Sequence, residues 1–231
     1  MKGLYLIVNL ASISVPFIAS FYPKAPFVKQ WKHLFPALFA TAAVFIIWDI
    51  WFTARGVWGF DVDYLIGTYF YNLPIEEVMF FICIPYCCAF IYFALHHFFP
   101  RPLLPKAANA VLALLGLFFL SVAVAHSTKA YPLSAGLAAY FVAMVMVLQK
   151  ASWKGHYILT YTISIVPFLI VNGILTGTGL DKPIVWYNND ENLALRVLTI
   201  PVEDFIYSFA MQGMVILIYE RLMRLKPKRV I

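Results

Sequence analysis

The stretch that decides the fold lies at residues 72–81 and places two adjacent acids at the start of a long apolar run. It reads Asn72-Leu73-Pro74-Ile75-Glu76-Glu77-Val78-Met79-Phe80-Phe81. A related stretch near the other end of the chain reads Ile200-Pro201-Val202-Glu203-Asp204-Phe205-Ile206-Tyr207. In each, a proline is followed by one aliphatic residue and two acids, and Pro74 and Pro201 are 127 positions apart. This shared spacing indicates an internal repeat.

The composition identifies the class of protein. Of the 231 residues, 63% are hydrophobic and 12% are charged, and the mean hydropathy is +0.82. Such a chain is too apolar for a soluble domain and is typical of an all-α polytopic membrane protein. The net charge of +6 comes from short loops and the C-terminus, so we expect a lipid bilayer as partner and no nucleic acid. The first apolar run follows a single Lys2 without a cleavable signal pattern, so we expect its helix to be retained.

The apolar runs predict seven transmembrane helices at about 20 residues per span. We place them at 4–21, 34–53, 74–98, 107–125, 131–149, 156–175 and 198–220. Helices one to three then correspond to helices five to seven, and the fourth is a linker that restores the direction of the chain. The predicted units are a first repeat at 1–100, a linker helix at 101–128 and a second repeat at 129–231. Because the repeats run parallel, both acid pairs should open on the same face.

Basic residues predict the orientation in an integral cell membrane, or in the inner membrane of a Gram-negative cell. With the N-terminus outside, twelve of the 17 Lys and Arg residues lie on the inner side. These are Lys24, Lys29, Lys32, Arg101, Lys106, Lys150, Lys154, Arg221, Arg224, Lys226, Lys228 and Arg229. Ten of the eleven acids gather toward the opposite, outer face. The C-terminus is therefore predicted to be cytoplasmic.

Cysteine and histidine usage predicts neither a metal nor a cofactor. Cys83, Cys87 and Cys88 lie in one apolar run without a Cys-x-x-Cys pattern, and we interpret them as packing residues. The five histidines stand near helix ends without an i, i+4 pair, which argues against membrane di-iron enzymes. A Gly-x-Gly-x-x-Gly dinucleotide motif is also absent from the sequence.

The acid pairs have two interpretations. A carboxylate near the third position of a helix commonly caps free backbone N–H groups, and Glu76 and Glu203 fit that role after their prolines. Capping explains one acid per helix but not two, and an ionisable group inside a span costs roughly 2.5 to 3.5 kcal/mol. Two adjacent carboxyls can share a proton, so that one acts as acid and the other as base. The doubled pairs therefore favour proton chemistry at a membrane face.

Aromatic residues crowd the segments before both acid pairs. Trp58 precedes the first pair and Tyr187 the second, among several other rings. An aromatic belt at the membrane interface accounts for most of them. The faces of such rings can also stabilise a carbocation.

With these residues assembled, the chain resembles the lycopene cyclase domain family, the membrane-integral, flavin-independent carotenoid cyclases. The resemblance covers both halves in one chain. In the first half it rests on Pro74, Glu76, Glu77, Phe80 and Phe81, and in the second on Pro201, Glu203, Asp204, Phe205 and Tyr207. Asn172, Thr176, Gly177, Arg196 and Tyr219-Glu220 also match.

The resemblance implies an isomerase of carotenoid biosynthesis, an intramolecular lyase of the lycopene β-cyclase type. Its substrate would be lycopene or a related linear carotenoid, its usual product β-carotene, and it would need no cofactor. The implied catalytic residues are Glu76, Glu77, Glu203 and Asp204. Residues expected to bind substrate or support the site are Asp49, Trp58, Asn172, Thr176, Tyr207 and Arg196. Ring closure fits the residues, because it needs a proton donor, a stabilised cation and a base, and no net redox change.

A proton-coupled transporter or proton channel is the alternative, since such proteins also place paired carboxylates in spans. A carrier should have a polar path through the bilayer. Beyond their acids, helices three and seven are apolar as far as Tyr92 and Tyr219. That pattern favours the enzyme.

Overall fold

Seven α-helices and the connections between them form the computed structural model, which describes residues 1–224. They are α1 (Leu4–Ala19), α2 (Trp31–Ala54), α3 (Ile75–Phe98), α4 (Ala108–Ala125), α5 (Ala130–Leu148), α6 (Lys154–Leu175) and α7 (Val202–Arg224). The predicted number of helices is confirmed. Of the basic residues that predict orientation, Lys226, Lys228 and Arg229 lie outside the described residues.

Six helices, α2 to α7, are long and apolar enough to cross a membrane. The first helix is apolar but has only 16 residues. At 1.5 Å per residue it is about 24 Å long, less than the ~30 Å of a hydrocarbon core. Large apolar side chains are exposed on the outer faces of the bundle, among them Phe39, Ile47, Leu114 and Phe141. These features indicate a membrane protein.

The start of the last helix differs from the prediction, because α7 begins at Val202 rather than at 198. Ile200–Pro201 instead forms a strand that pairs with Arg196–Val197. Leu198 stands in the turn between these strands with φ of 58°, in the left-handed region, which is incompatible with a continuous helix. Hydropathy alone does not distinguish this apolar turn from the start of a helix.

The two long connections contain short strands that the sequence analysis did not predict. They are β1 (Trp58–Phe60), β2 (Tyr69–Phe70), β3 (Leu73–Pro74), β4 (Val185–Tyr187), β5 (Arg196–Val197) and β6 (Ile200–Pro201). Strands β2 and β3 form an antiparallel pair before α3, and β5 and β6 form another before α7. Strand β1 pairs with β4 and so joins the two connections. An Arg55–Glu191 ion pair at 4.0 Å links them a second time.

All these connections lie at one end of the bundle, where α1, α3, α5 and α7 begin and α2 and α6 end. We call it the acidic end. Near it, Tyr5 at the start of α1 contacts Glu77 at the start of α3. In the same way, Tyr131 at the start of α5 contacts Asp204 at the start of α7. Both acid pairs therefore lie at the same end of the protein.

Candidate active site

A cavity of about 160 Å³ begins at the acidic end and extends between α1, α3, α6 and α7. Helix α3 lines it with one face, from Glu77 to Ile91. These two residues are 14 positions apart, about 21 Å along a helix. Phe80, Phe81 and Ile84 lie between them on the same face, so most of this wall is apolar. Such a long apolar cavity suits an elongated hydrocarbon.

Three carboxyl groups, those of Asp49, Glu77 and Asp204, line the head of this cavity. All three residues are buried. Among residues 1–224, no Lys, Arg or His lines the cavity. The same part of the chain contains no group of three or more His, Cys, Asp and Glu side chains able to hold a metal ion. Three unpaired negative charges would be costly in such surroundings, so the set is suited to holding protons.

Asp204 receives three hydrogen bonds from side chains. Tyr131 donates to Oδ1 at 2.6 Å, and Asn172 and Tyr187 each donate to Oδ2 at 3.0 Å. Burial raises the pKa of Tyr187, which lies in a connection between helices, well above its usual value, and the Asp204 charge raises it further. Tyr187 therefore remains a proton-bearing donor. Three donors stabilise the charged form of a carboxyl group.

Glu77 and Asp49 have fewer donors. Tyr5 donates to Glu77 Oε2 at 2.5 Å. Trp58 Nε1 and Thr53 Oγ1 both donate to Asp49 Oδ1, the latter at 3.2 Å. The other Asp49 oxygen, Oδ2, is buried and has no hydrogen-bond partner within the described chain. A negative charge on Glu77 would be opposed most by one on Asp49 and less by one on Asp204.

Glu76 and Glu203 point away from the cavity, although both are fully buried. Glu76 Oε1 accepts the backbone N–H of Ile66 at 2.7 Å, and Glu203 Oε1 accepts that of Leu193 at 2.6 Å. In both cases the acid fixes the connection ten residues before it. Adjacent helical residues point about 100° apart, which allows one acid of each pair to face the loop while the next faces the cavity.

Aromatic rings surround the three carboxyl groups. The Trp58 and Tyr131 rings meet edge to face at 5.0 Å between centroids, and Tyr131 stacks on Tyr187 at 6.0 Å. Tyr207 lies 4.9 Å from Trp48. The faces of such rings attract cations, most strongly where water is excluded.

The structure brings most of the predicted supporting residues to the cavity. Asp49, Trp58, Asn172, Thr176 and Tyr207 line it beside Glu77 and Asp204. Arg196 does not line it. Its guanidinium donates to Thr199 O at 2.8 Å and lies over the outside of the Tyr187 ring, 5.8 Å from the centroid.

Sequence reasoning missed Tyr5 and Tyr131, the tyrosine donors to the second acid of each pair. A signal for them exists in the sequence. Each stands near the beginning of the first helix of its half, and they are 126 positions apart, one fewer than the two prolines. A search for polar residues shared by the halves would have found them.

Comparison with protein-family models gives one finding. A model described as "Lycopene cyclase" matches residues 2–95 and 128–222. The matched segments contain both acid pairs and leave out the whole of α4. Comparisons with curated proteins and with solved structures found no match.

The loop contacts of Glu76 and Glu203 predict a stability effect. Glu76→Leu removes the acceptor of the Ile66 N–H, so we expect a loss of about 0.5–1.5 kcal/mol in unfolding free energy. Glu76→Gln keeps a side-chain carbonyl and should stay near wild type. Glu203→Leu should be destabilised in the same way, and Glu203→Gln should stay near wild type. Thermal unfolding of detergent-purified protein measures the effect, and a Leu variant as stable as its Gln counterpart would contradict the anchoring role.

Proposed function

Because this chain belongs to the lycopene cyclase family, we propose that it closes the linear end groups of lycopene into rings and forms β-carotene. The observation that carries the proposal is the group of three buried carboxyls at the head of one long apolar cavity. The apolar wall suits a polyene, and the carboxyl groups suit proton transfer at its end. The family match favours this function over the transporter considered from the sequence.

Ring closure on this scheme is redox-neutral. A carboxylic acid protonates the terminal double bond, and a tertiary cation forms. The next double bond attacks that cation, which closes the ring and moves the positive charge into it. A carboxylate then removes a proton and leaves a ring double bond. The rings of Trp58, Tyr131 and Tyr207 are close enough to the carboxyl groups to stabilise the cation.

We assign the acid to Glu77 and the base to Asp204. Asp204 accepts hydrogen bonds from Tyr131, Asn172 and Tyr187, which favour its carboxylate form. Glu77 has the single donor Tyr5, and its charge interacts with that of Asp49. A proton on Glu77 removes one of these two neighbouring negative charges. Asp49 acts on this assignment by keeping Glu77 protonated.

Glu76 and Glu203 are proposed to position the site rather than to transfer protons. Each accepts a backbone N–H from the connection that closes the acidic end. Those connections also supply Trp58 and Tyr187, which contact Asp49 and Asp204. The first acid of each pair thus holds the loop that covers the second.

The chain is proposed to consist of two parallel repeats, 1–100 and 129–231, joined by a linker unit at 101–128 that contains α4. Strands β1 and β4 support this arrangement, because Gly59 pairs with Trp186 at the centre of the ladder. These residues are 127 positions apart, the same offset as Pro74 and Pro201. A twofold axis along the membrane normal would pass through that pair. One cavity is then shared by both repeats, and the second end of the substrate enters after release.

The acidic end is proposed to face the outside of the cell membrane, with the N-terminus outside and the C-terminus in the cytoplasm. Of the basic residues on the proposed inner side, Lys24, Lys29 and Lys32 precede or begin α2. Arg221 and Arg224 end α7. Positive charges of this kind favour the cytoplasmic side.

The cyclase function predicts a solvent-derived label. Membranes that contain this protein should convert lycopene to β-carotene in deuterated water, with one deuterium in each new ring. Chromatography and mass spectrometry of the pigments measure both, and membranes without the protein are the control. Unconverted lycopene, or cyclic product without deuterium, would refute the mechanism.

The division of roles predicts different effects within each acid pair. Glu77→Gln and Asp204→Asn should lower the ring-closure rate about 10²–10⁴-fold, the usual contribution of a positioned acid or base. Glu76→Gln and Glu203→Gln should keep most activity, because an amide carbonyl still accepts the loop N–H. Pigment analysis at equal amounts of folded protein makes the comparison. Because the cavity is shared, neither inactive variant should form monocyclic product, and accumulation of monocyclic carotenoid would instead indicate one site per repeat.

Orientation is tested by reporter fusions. A cytoplasm-active reporter fused to the C-terminus should be active, and a periplasm-active reporter at the same place should not. The same pair of reporters after α6 provides the control, since that connection belongs to the outer face. Activity with the opposite pattern would reverse the faces.

A further inference from the structure

Three threonine hydroxyls form a continuous chain beside the second half of the cavity. The exposed Thr178 hydroxyl lies 2.7 Å from that of Thr199, and Thr199 lies 2.7 Å from Thr176. Thr176 is buried and lines the cavity. Its hydroxyl also donates to the backbone oxygen of Asn172, whose side chain donates to Asp204. Hydroxyl groups both donate and accept, so such a chain can pass a proton along its length.

The first half of the chain lacks this feature at the related positions. Asn72 stands two residues before Pro74, as Thr199 stands two residues before Pro201. Asn72 donates to Ile50 O at 2.9 Å, and Thr199 donates to Gly173 O at 3.3 Å. The two contacts are related, because Ile50 follows Asp49 as Gly173 follows Asn172 in the sequence.

An asparagine amide can therefore make the same backbone contact as the Thr199 hydroxyl. In the first half, Asn72 attaches the connection to the end of α2 without a hydroxyl. Arg55, two residues after Thr53, stands where Thr178 stands two residues after Thr176. A structural role alone thus does not require three hydroxyls in a row.

We propose that Thr178, Thr199 and Thr176 form a proton relay that connects the cavity beside Asp204 with the water outside the acidic end. The proposal rests on the cyclase function proposed above. It adds the route by which the site exchanges protons with solvent.

Each ring closure releases one proton to solvent and takes one up. Asp204 takes a proton from the ring cation and passes it through a cavity water to the Thr176 hydroxyl. Each hydroxyl accepts one proton and releases its own outward, so that Thr178 delivers one proton to solvent. After the hydroxyls reorient, one proton returns by the same route through cavity water to Glu77. One proton leaves and one enters in each ring closure, and no electron is exchanged.

The test uses three variants of Thr199 in the full-length protein in membranes. Thr199→Ser keeps the hydroxyl, and Thr199→Asn introduces the residue found at position 72. Thr199→Val removes the hydroxyl and adds no other polar group. We expect Thr199→Ser to match wild type. The Asn and Val variants should close one ring per enzyme at the wild-type rate and then turn over about tenfold or more slowly. The slow phase should have a larger solvent isotope effect and yield product with less deuterium.

A structural role alone gives a different result. It lowers the amount of folded enzyme but leaves the isotope effect and the deuterium content of the product unchanged. Thr199→Asn with wild-type rate and label would overturn the relay, as would Thr199→Ser as impaired as Thr199→Asn. Thr178→Val, at the exposed end of the chain, provides the same test if the Thr199 variants do not fold. A wild-type protein that forms no cyclic product would refute the cyclase function instead, so the two failures are distinguishable.

Discussion

Burying carboxyl groups inside an apolar bundle is the constraint on which the rest of this structure depends. Five acids are buried: Asp49, Glu76, Glu77, Glu203 and Asp204. None of them forms an ion pair within residues 1–224, so the hydrogen bonds to their oxygens come from neutral donors. A buried acceptor without a donor costs free energy comparable to a lost hydrogen bond. The donors come from the first turns of α1 and α5, from α2 and α6, and from the connections.

This need explains why the acidic end is covered. Loops in a membrane protein usually remain at the surface, but here each connection sends a backbone N–H inward to the first acid of a pair. The β1–β4 ladder then fixes Trp58 and Tyr187 above the cavity. Gly59 allows this arrangement, because a Cβ atom there would lie 2.3 Å from the Trp186 ring. The ladder thus holds both side chains beside the carboxyl groups of Asp49 and Asp204, to which they donate hydrogen bonds.

Hydropathy and motif spacing predicted the number of helices and most of the residues that line the cavity. Seven apolar runs became seven helices, and five of the six supporting residues line the same cavity as Glu77 and Asp204. The pattern could not reveal which acid of a pair faces inward, because that depends on how α3 and α7 are rotated against the connections. It also could not reveal the strands, since segments of two or three residues carry no measurable period. Arg196 lies outside the cavity for a related reason: the β5–β6 turn directs it toward Thr199 O, and its supporting role stays a prediction.

On the proposed mechanism, the two halves differ where ring closure needs them to differ. A fully symmetric cavity would offer equivalent carboxyl groups to a substrate end that needs an acid on one side and a base on the other. Asp49 and Asn172, each four residues before a threonine near a helix end, differ by one charge. The side-chain amide of Asn172 donates to Asp204, whereas a negative charge on Asp49 opposes one on Glu77. On the proposed assignment, the acid at position 49 and the amide at position 172 bias one half toward holding a proton and the other toward accepting one. The proposed repeat would supply a common scaffold, and these few differences would give its halves opposite roles.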